Sequence, residues 1–216
     1  MKHYGYFRSS AAYRLHIAFG LKGLAPDLIS VHLTRDGGQQ KTDAYRAVNP
    51  QALVPSVVTD NGDVLTQSLA ILEWLEEAFP QPPLLPRDPM GRSQVRAFAN
   101  VICCDFHPLQ NLRVLQYLRR EFGKDQGEID AWCRRWLSEG LAACETLLAR
   151  HGEHTFCFGD TPGLADVCLV PQLFSADRFG VDLEPMPRLC GIRALCKALP
   201  AFVAAHPLRQ PDWNNN

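Results

Sequence analysis

Short apolar runs alternate with amphipathic stretches along the first 80 residues of the chain. Apolar residues at every third or fourth position predict helices, and runs of β-branched and aromatic residues predict strands. An Asn-Gly pair at 61–62 lies between two such runs and indicates a hairpin turn. The predicted strands cover residues 4–7, 28–31, 57–58 and 64–65, and the predicted helices cover residues 10–22 and 68–79, with a further short helix before the third strand.

The pattern changes at a proline-rich stretch, residues 80–89. Because proline lacks an amide donor, neither a regular helix nor a central strand is expected there. Beyond it the apolar residues recur only at helical intervals. The predicted helices cover residues 91–120, 128–151, 163–179 and 186–205. The sequence therefore predicts an α/β domain at 1–80, a linker at 81–89 and an all-helical domain at 90–216.

Composition argues against several classes of function. Lys and Arg (22) nearly balance Asp and Glu (23), so nothing favours nucleic acid or an anionic membrane surface as a partner. No apolar run reaches the roughly 20 residues of a membrane span. The first residues carry no secretory signal, so we expect a cytoplasmic protein with free thiols. The eight cysteines form no C-x-x-C pair and no zinc-finger spacing, so no metal site is expected.

Five motifs occur in order along the chain: FRSSAAYRLHIA (7–18), NPQALVP (49–55), QSLAI (67–71), HPLQNLRVL (107–115) and ADVCLVPQ (165–172). With these motifs the sequence resembles the zeta-class glutathione transferases, the family of maleylacetoacetate and maleylpyruvate isomerases. The resemblance covers nearly the whole chain. It implies a thioredoxin-like N-terminal domain with a four-stranded mixed sheet, a C-terminal helical bundle, glutathione as cofactor and a homodimer.

Two serines stand where the first predicted strand passes into the first helix. The unpaired amides and partial positive charge of a helix start favour an anion, and the same field lowers the pKa of a thiol. A serine in that place is also a common helix N-cap. The resemblance assigns Ser9 to activation of the glutathione sulfur, with Ser10 as the next candidate, and makes Arg8 a substrate anchor. The family has a cysteine where this chain has Ala11, which serine-based activation does not need.

The resemblance assigns two further stretches to glutathione. It implies a cis peptide bond between Val54 and Pro55, which turns the backbone of Val54 towards the cysteinyl part of the tripeptide. Gln67 and Ser68 stand at another strand-to-helix junction, where a hydroxyl and the first helix amides can hold a carboxylate. We expect Ser68 to cap that helix and the pair to bind the γ-glutamyl end. Gln40 is assigned to the other end.

In the helical domain, the resemblance assigns His107 and Asn111 to contact with glutathione or substrate. The spacing of four residues places both on one face of the long predicted helix, which Pro108 should bend. Arg178, and more weakly Arg113, join Arg8 as anchors for substrate carboxylates, for which the arginine fork is suited. Most exposed arginines are merely surface charge.

Asp166 has a structural role by contrast. In the superfamily a Ser/Thr-x-x-Asp box starts the core helix of the second domain, and here Gly163 replaces the hydroxyl residue. Glycine is a tolerable N-cap, and an aspartate in the first turn suits the helix dipole.

The implied reaction is cis–trans isomerisation of maleylacetoacetate to fumarylacetoacetate, with glutathione as a borrowed nucleophile. Three alternatives stay open at this point. A maleylpyruvate isomerase would use the same chemistry on a shorter diacid. A general transferase would leave glutathione in the product. A non-enzymatic interaction module would have no need of Ser9, Gln67 and Ser68, because a scaffold does not activate a thiol.

Overall fold

The computed structural model describes residues 1–213 and divides them into two compact units. The first unit contains residues 1–83 together with 197–213, and the second contains residues 84–196. In chain order the regular elements are β1 (Lys2–Gly5), α1 (Ser10–Leu21), β2 (Asp27–Ser30), α2 (Asp43–Val48), β3 (Ser56–Val58), β4 (Val64–Thr66), α3 (Ser68–Ala78), α4 (Pro89–Asn100), α5 (Leu112–Phe122), α6 (Gln126–Arg150), α7 (Leu164–Phe179), α8 (Pro187–Lys197) and α9 (Pro200–Ala205).

The first unit is built on one four-stranded mixed sheet in the order β2-β1-β3-β4. Strand β2 runs parallel to β1, while β3 is antiparallel to both β1 and β4. Helix α1 is the crossover between the two parallel strands, and its Leu15 and Ile17 are fully buried. The second unit has only helices as regular elements within the described residues. The predicted fold class is therefore confirmed.

Residues 197–213 belong to the first unit, although the sequence predicted a single helix at 186–205 within the second domain. Pro200 explains the break, because it lacks an amide donor and serves as the first residue of a new helix. Helix α9 then packs against α1. A Cβ placed on Gly20 would stand 3.1 Å from the Cβ of Ala201, so the two helices approach closely at small residues.

The predicted helix at 91–120 is in fact interrupted. Helix α4 passes into a π-helical turn, Val101–Phe106, and a 3-10 turn, His107–Gln110. Asn111 is extended (φ −62°, ψ 140°) and caps α5. The prediction that His107 and Asn111 share one face of a continuous helix is therefore wrong, because Pro108 and the Asn111 cap end one helix and begin another.

The proline-rich stretch has no regular structure as far as Asp88. Pro89, which the sequence placed in the linker, is the first residue of α4, and Asp88 caps that helix by accepting from the amide of Gly91 at 2.7 Å. Leu84 and Leu85 are buried, and the Leu84 carbonyl accepts from the amide of Leu164 at 2.8 Å. This stretch is thus held in place by packing and by that hydrogen bond.

Two imidazoles lie in the core of the first unit, with the ring of His3 4.7 Å from that of His16. Burial lowers the pKa of His16 from 6.5 to about 4, although the nearby Asp212 carboxylate acts in the opposite direction. Burial, and then the neighbouring His16, lowers the pKa of His3 well below its ordinary value. Both rings are therefore neutral in the folded protein at neutral pH.

Acid should destabilise the protein through these imidazoles. Because the folded pKa of His16 is below the unfolded value of 6.5, its contribution is complete above pH 6.5 and is lost as the pH falls towards 4. The loss should approach about 3 kcal/mol, at roughly 1.4 kcal/mol per pKa unit. Urea unfolding between pH 4 and 8 should therefore show a smaller pH slope for His16→Phe than for wild type. Equal slopes would contradict this assignment.

The contact between Gly140 of α6 and Phe106 should be sensitive to a single methyl group. A Cβ on Gly140 would lie 2.1 Å from Cδ1 of the buried Phe106 ring. We expect Gly140→Ala to lower the free energy of unfolding by about 1–3 kcal/mol, since the ring must move within a packed core.

Gly191→Ala is the matched control for that substitution. Gly191 is an exposed residue of α8, and no atom lies within 4 Å of its added Cβ. Alanine should there gain up to about 1 kcal/mol from helix propensity. Thermal unfolding of the two variants should shift in opposite directions, and a destabilised Gly191→Ala would show that the method is not reporting the local contact.

Candidate active site

The turn between β1 and α1 carries three of the predicted residues. Ser9 is the N-cap of α1, and its Oγ accepts from the amide of Ala12 at 3.2 Å. Because that bond uses a lone pair, the hydroxyl hydrogen of Ser9 can still be donated to another acceptor. Ser10 is the first residue of the helix and is half-buried. Arg8 is exposed, with its guanidinium 5.2 Å from the centre of the Phe7 ring.

A residue far along the chain holds this turn. Asp212 is buried, and its Oδ2 accepts from the amide of Phe7 at 2.9 Å and from the hydroxyl of Ser30 at 3.2 Å. The neighbouring Trp213 ring packs against the Phe7 ring, with centroids 5.3 Å apart. Sequence reasoning did not find Asp212, because it lies outside the motifs and outside any predicted helix or strand.

The loop before β3 is shaped by side chains of its own segment. The peptide bond between Val54 and Pro55 is cis, as expected. The Leu53 carbonyl accepts from the Tyr45 hydroxyl at 2.7 Å and from the Asn49 side-chain amide at 2.8 Å. The Asn49 Oδ1 in turn accepts from the amide of Gln51 at 3.0 Å. The asparagine of the NPQALVP motif thus fixes the loop that presents the backbone of Val54.

The junction of β4 and α3 differs in one respect from the prediction. Ser68 is the first residue of α3, and the N-cap position belongs to Gln67, whose φ of +66° is left-handed. The side chain of Ser68 therefore does not cap the helix. Its Oγ instead accepts from the guanidinium of Arg14 at 3.0 Å, while Gln67 Nε2 donates to Gln51 Oε1 at 2.8 Å.

Arg14 is the second residue that sequence reasoning missed. It lies one turn into α1 and is 1% exposed, so a charged group is buried within a mostly apolar helix. Its hydrogen bond to Ser68 joins the second turn of α1 directly to the first residue of α3. The sequence did carry a signal for this residue, because an arginine among the buried apolar residues of a helix requires polar partners for its guanidinium.

The structure brings Ser9, Ser10, Gln67 and Ser68 to the starts of two helices that contact each other. Gln40 is placed differently. Its side chain is buried within its own loop, where Nε2 donates to the Leu33 carbonyl at 3.2 Å and Oε1 has no partner among the described residues. In this conformation the carboxamide packs against the backbone of Gly38, whose φ is +106°. A Cβ placed on Gly38 would lie 2.7 Å from Gln40 Oε1.

The predicted residues of the second unit occupy helix ends. His107 begins the 3-10 turn and is half-buried. Asn111 caps α5 by accepting from the amide of Arg113 at 3.2 Å. Arg113 is exposed, as is Arg178 in the last turn of α7, whose guanidinium lies 4.9 Å from the centre of the Phe179 ring. Each arginine can therefore present its fork to a carboxylate.

Asp166 has the structural position that was expected of it. Its two oxygens accept from the amides of Gly163 at 2.8 Å and Cys157 at 3.0 Å. Burial nevertheless raises the pKa of this carboxyl. A Cβ on Gly163 would lie 2.8 Å from the Leu84 carbonyl oxygen. The missing hydroxyl of the box is thus explained by close contact with the Leu84 backbone.

The cysteines have thiols of low reactivity where they are buried. Burial raises the pKa of Cys133 to about 11 and that of Cys144 to about 12. It also raises the pKa values of Cys157 and Cys196. Within residues 1–213, no group of three or more histidine, cysteine or carboxylate side chains is placed to hold a metal ion. No helix in that range is both long and apolar enough to cross a bilayer.

Comparison with known proteins identifies both halves of the chain. Residues 8–78 match the family model of the glutathione S-transferase N-terminal domain, and residues 126–204 match that of the C-terminal domain. The chain is 49% identical to a maleylacetoacetate isomerase of Pseudomonas aeruginosa, covering 98% of each chain. It is also 49% identical to a maleylpyruvate isomerase of a Ralstonia species, covering 98% of this chain and 99% of that one.

Solved structures agree with these relationships. A holo maleylpyruvate isomerase, described as a bacterial zeta-class glutathione transferase, superposes with a TM-score of 0.93 at 48% identity, covering 98% of this chain and 99% of that one. A maleylacetoacetate isomerase of Methylobacterium extorquens with bound malonate and glutathione has a TM-score of 0.93 at 40% identity, covering 98% of each.

A further maleylacetoacetate isomerase, from Anaeromyxobacter dehalogenans, holds dicarboxyethyl glutathione and citrate in its active site. It has a TM-score of 0.85 at 43% identity, covering 98% of this chain and 96% of that one. In these five comparisons the identity is 40–49% and extends over nearly the full length of both chains. The chain therefore belongs to the zeta-class glutathione transferases, the family of maleylacetoacetate and maleylpyruvate isomerases.

Proposed function

We propose that the protein is a maleylacetoacetate isomerase that uses glutathione as its cofactor and forms fumarylacetoacetate. The observation that carries the proposal is Ser9, whose hydroxyl lies at the start of α1 and keeps a hydrogen to donate. The chain that carries this serine is 49% identical to a maleylacetoacetate isomerase. The proposal includes a homodimer, as the family resemblance implies. It also places the protein in the cytoplasm, in keeping with eight cysteines that all lie in the described residues without a disulfide.

Glutathione is assigned to the first unit from the positions of its polar groups. The sulfur lies near Ser9, with Ser10 as the second candidate, where the start of α1 stabilises a thiolate. The backbone of Val54 pairs with the cysteinyl residue, next to the cis bond to Pro55. Gln67 and Ser68 hold the γ-glutamyl carboxylate at the start of α3. Gln40 would require a change of side-chain conformation to take part.

Arg14 supports this assignment of Ser68. Arginine has only donors, so in the observed bond the Ser68 Oγ must be the acceptor. The hydroxyl hydrogen of Ser68 is therefore left to point at a ligand acceptor, and a buried positive charge lies behind it. A carboxylate is the ligand group that such a donor and such a charge favour.

The chemistry requires an ionised sulfur and a stabilised oxyanion. The thiolate adds to one carbon of the cis double bond, and the electron pair of that bond moves to the conjugated carbonyl, which becomes an enolate. Rotation about the resulting C–C single bond is easy. The enolate then re-forms the double bond in the trans arrangement and expels the thiolate, so that no atom is gained or lost. Hydrogen-bond donors aimed at the transient enolate lower this barrier.

The substrate is a dicarboxylate, and three arginines are proposed to bind it. Arg8 and Arg178 are the main anchors, and Arg113 is the third candidate. All three are exposed and can form paired hydrogen bonds with a carboxylate. His107 and Asn111 are proposed to contact glutathione or substrate. The cap that Asn111 provides uses only its Oδ1, so its amide hydrogens can bind a ligand.

A maleylpyruvate isomerase is the second candidate function, because the identity to the Ralstonia enzyme is equally high. Both functions predict that the cis diacid disappears only when glutathione is present and that the free thiol concentration stays constant. A conjugating transferase would instead consume one thiol for each substrate. Measuring kcat/KM on both diacids decides between the two isomerases, and activity on neither substrate would refute the proposal.

Replacing the thiol-activating serine should separate chemistry from binding. Ser9→Ala should raise the pKa of bound glutathione and lower kcat by about 10²–10³, the effect of removing one good donor to an anion. Glutathione affinity should change little, because most contacts are elsewhere. The measurements are thiolate absorbance against pH and steady-state kinetics.

Two variants serve as comparisons for Ser9→Ala. Ser10→Ala should have the smaller effect, and the opposite order would move the role from Ser9 to Ser10. Arg8→Ala should mainly raise KM for the diacid while leaving the thiol pKa nearly unchanged. If neither serine variant shifts the thiol pKa, the helix start alone ionises the sulfur.

The role of Ser68 can be tested with a ligand that lacks one group. Ser68→Ala should weaken glutathione binding about 10- to 100-fold, as expected for loss of a hydrogen bond to a charged group. The analogue 4-aminobutyryl-Cys-Gly has no γ-glutamyl carboxylate, so its Kd should be the same for wild type and variant. Titration calorimetry measures both values. An equal loss for both ligands would place the carboxylate elsewhere.

A further inference from the structure

Two backbone amides, those of Ser9 and Phe7, make the hydrogen bonds that fix the turn carrying Arg8 and Ser9. The amide of Ser9 donates to the Tyr6 carbonyl at 2.9 Å, which closes the turn. The amide of Phe7 donates to Asp212 at 2.9 Å, across 205 residues of sequence. Asp212 thereby anchors the turn to the segment 207–213.

Both hydrogen bonds of Asp212 go to the same oxygen. Its Oδ2 accepts from Phe7 and from Ser30, whereas its Oδ1 has no partner among the described residues. The residue is 5% exposed. Burying a carboxylate with one oxygen unpartnered is costly. Of the two hydrogen bonds that Oδ2 accepts, the one from the Phe7 amide is buried and the one from Ser30 is partly exposed, so the Phe7 bond is the better shielded from water.

Packing around Phe7 acts in the same direction. Phe7 is 3% exposed, and its ring has the Tyr6 ring at 4.7 Å, the Trp213 ring at 5.3 Å and the Arg8 guanidinium at 5.2 Å. Phe7 is therefore enclosed partly by Trp213, the residue that follows Asp212. Any movement of that segment would move the backbone on which Arg8 and Ser9 stand.

We propose that Asp212 is a positioning residue for the thiolate site, acting through the Phe7 amide on the turn that presents Arg8 and Ser9. The inference rests on the proposed function, since it assigns Ser9 to the sulfur. Asp212 touches neither glutathione nor substrate in this role. Its effect is to hold the Ser9 hydroxyl within hydrogen-bond distance of the sulfur, where a displacement of 1 Å can cost about 10² in rate.

The test compares three substitutions at this position with wild type. Asp212→Ala removes the acceptor and should lower kcat roughly 10- to 100-fold, raise the pKa of bound glutathione and leave its Kd within about threefold. Asp212→Asn keeps an acceptor oxygen and should restore most of kcat. Asp212→Glu keeps the charge but displaces the acceptor by one methylene group, and its kcat should lie between those of alanine and wild type.

Ser30→Ala is the matched control, because it removes the other partner of the same oxygen and leaves the Phe7 bond intact. It should leave kcat and the thiol pKa unchanged. Circular dichroism and thermal unfolding confirm that each variant is folded. If Asp212→Ala does not fold, Asp212→Glu decides, and wild-type kcat in that variant would overturn the proposal.

Other results would also overturn it. A lower unfolding temperature with unchanged kcat and thiol pKa would make Asp212 a purely structural residue. An asparagine variant as impaired as the alanine variant would show that the charge matters and the acceptor does not. If wild-type protein binds no glutathione, both the proposed function and this inference are refuted. If wild type binds glutathione and isomerises the diacid while Asp212→Ala keeps wild-type kcat and thiol pKa, only the inference is refuted.

Discussion

The first unit depends on the burial of α1 on nearly every side. Its residues 12–15 and 17–19 are all buried, and the helix contacts both α3 and α9. A helix so enclosed cannot leave polar groups unsatisfied at its start. Ser9 therefore caps it. Arg14 in its second turn donates to Ser68 at the start of α3, and Asp212 accepts from the amide of Phe7 in the turn before the helix. The same groups make the starts of α1 and α3 suitable for a ligand that carries a thiolate and a carboxylate.

Local sequence signals predicted most of the helices and strands of this unit, because helix spacing and turn residues depend on neighbouring positions in the sequence. Helix propensity and spacing located α1 and α3, and the Asn-Gly pair located the β3–β4 hairpin. The motif residues Ser9, Gln67 and Ser68 were correctly placed at strand-to-helix junctions. What local signals could not give was the direction of side chains. Ser68 accepts from Arg14, a neighbour distant in sequence, rather than capping its own helix. Gln40 turns inward to the Leu33 carbonyl of its own loop.

Helix breaks in the second half were missed for a related reason. The apolar spacing continues across Asn111 and across Leu199, so periodicity alone predicts two long helices. At Asn111 the backbone is extended and the side chain caps the next helix. Before it, the Phe106 ring occupies the space that a side chain at Gly140 would fill. The indole of Trp132 donates to the Leu109 carbonyl at 2.8 Å, which holds the 3-10 turn that follows.

The buried thiols have a consequence for a protein that works with electrophiles. An activated alkene reacts with any available thiolate, and a thiol reacts through its ionised form. Because burial keeps Cys133, Cys144, Cys157 and Cys196 protonated at neutral pH, these side chains do not compete with glutathione for the substrate. The hydrophobic core thus shields these four thiols from alkylation by the substrate of the enzyme.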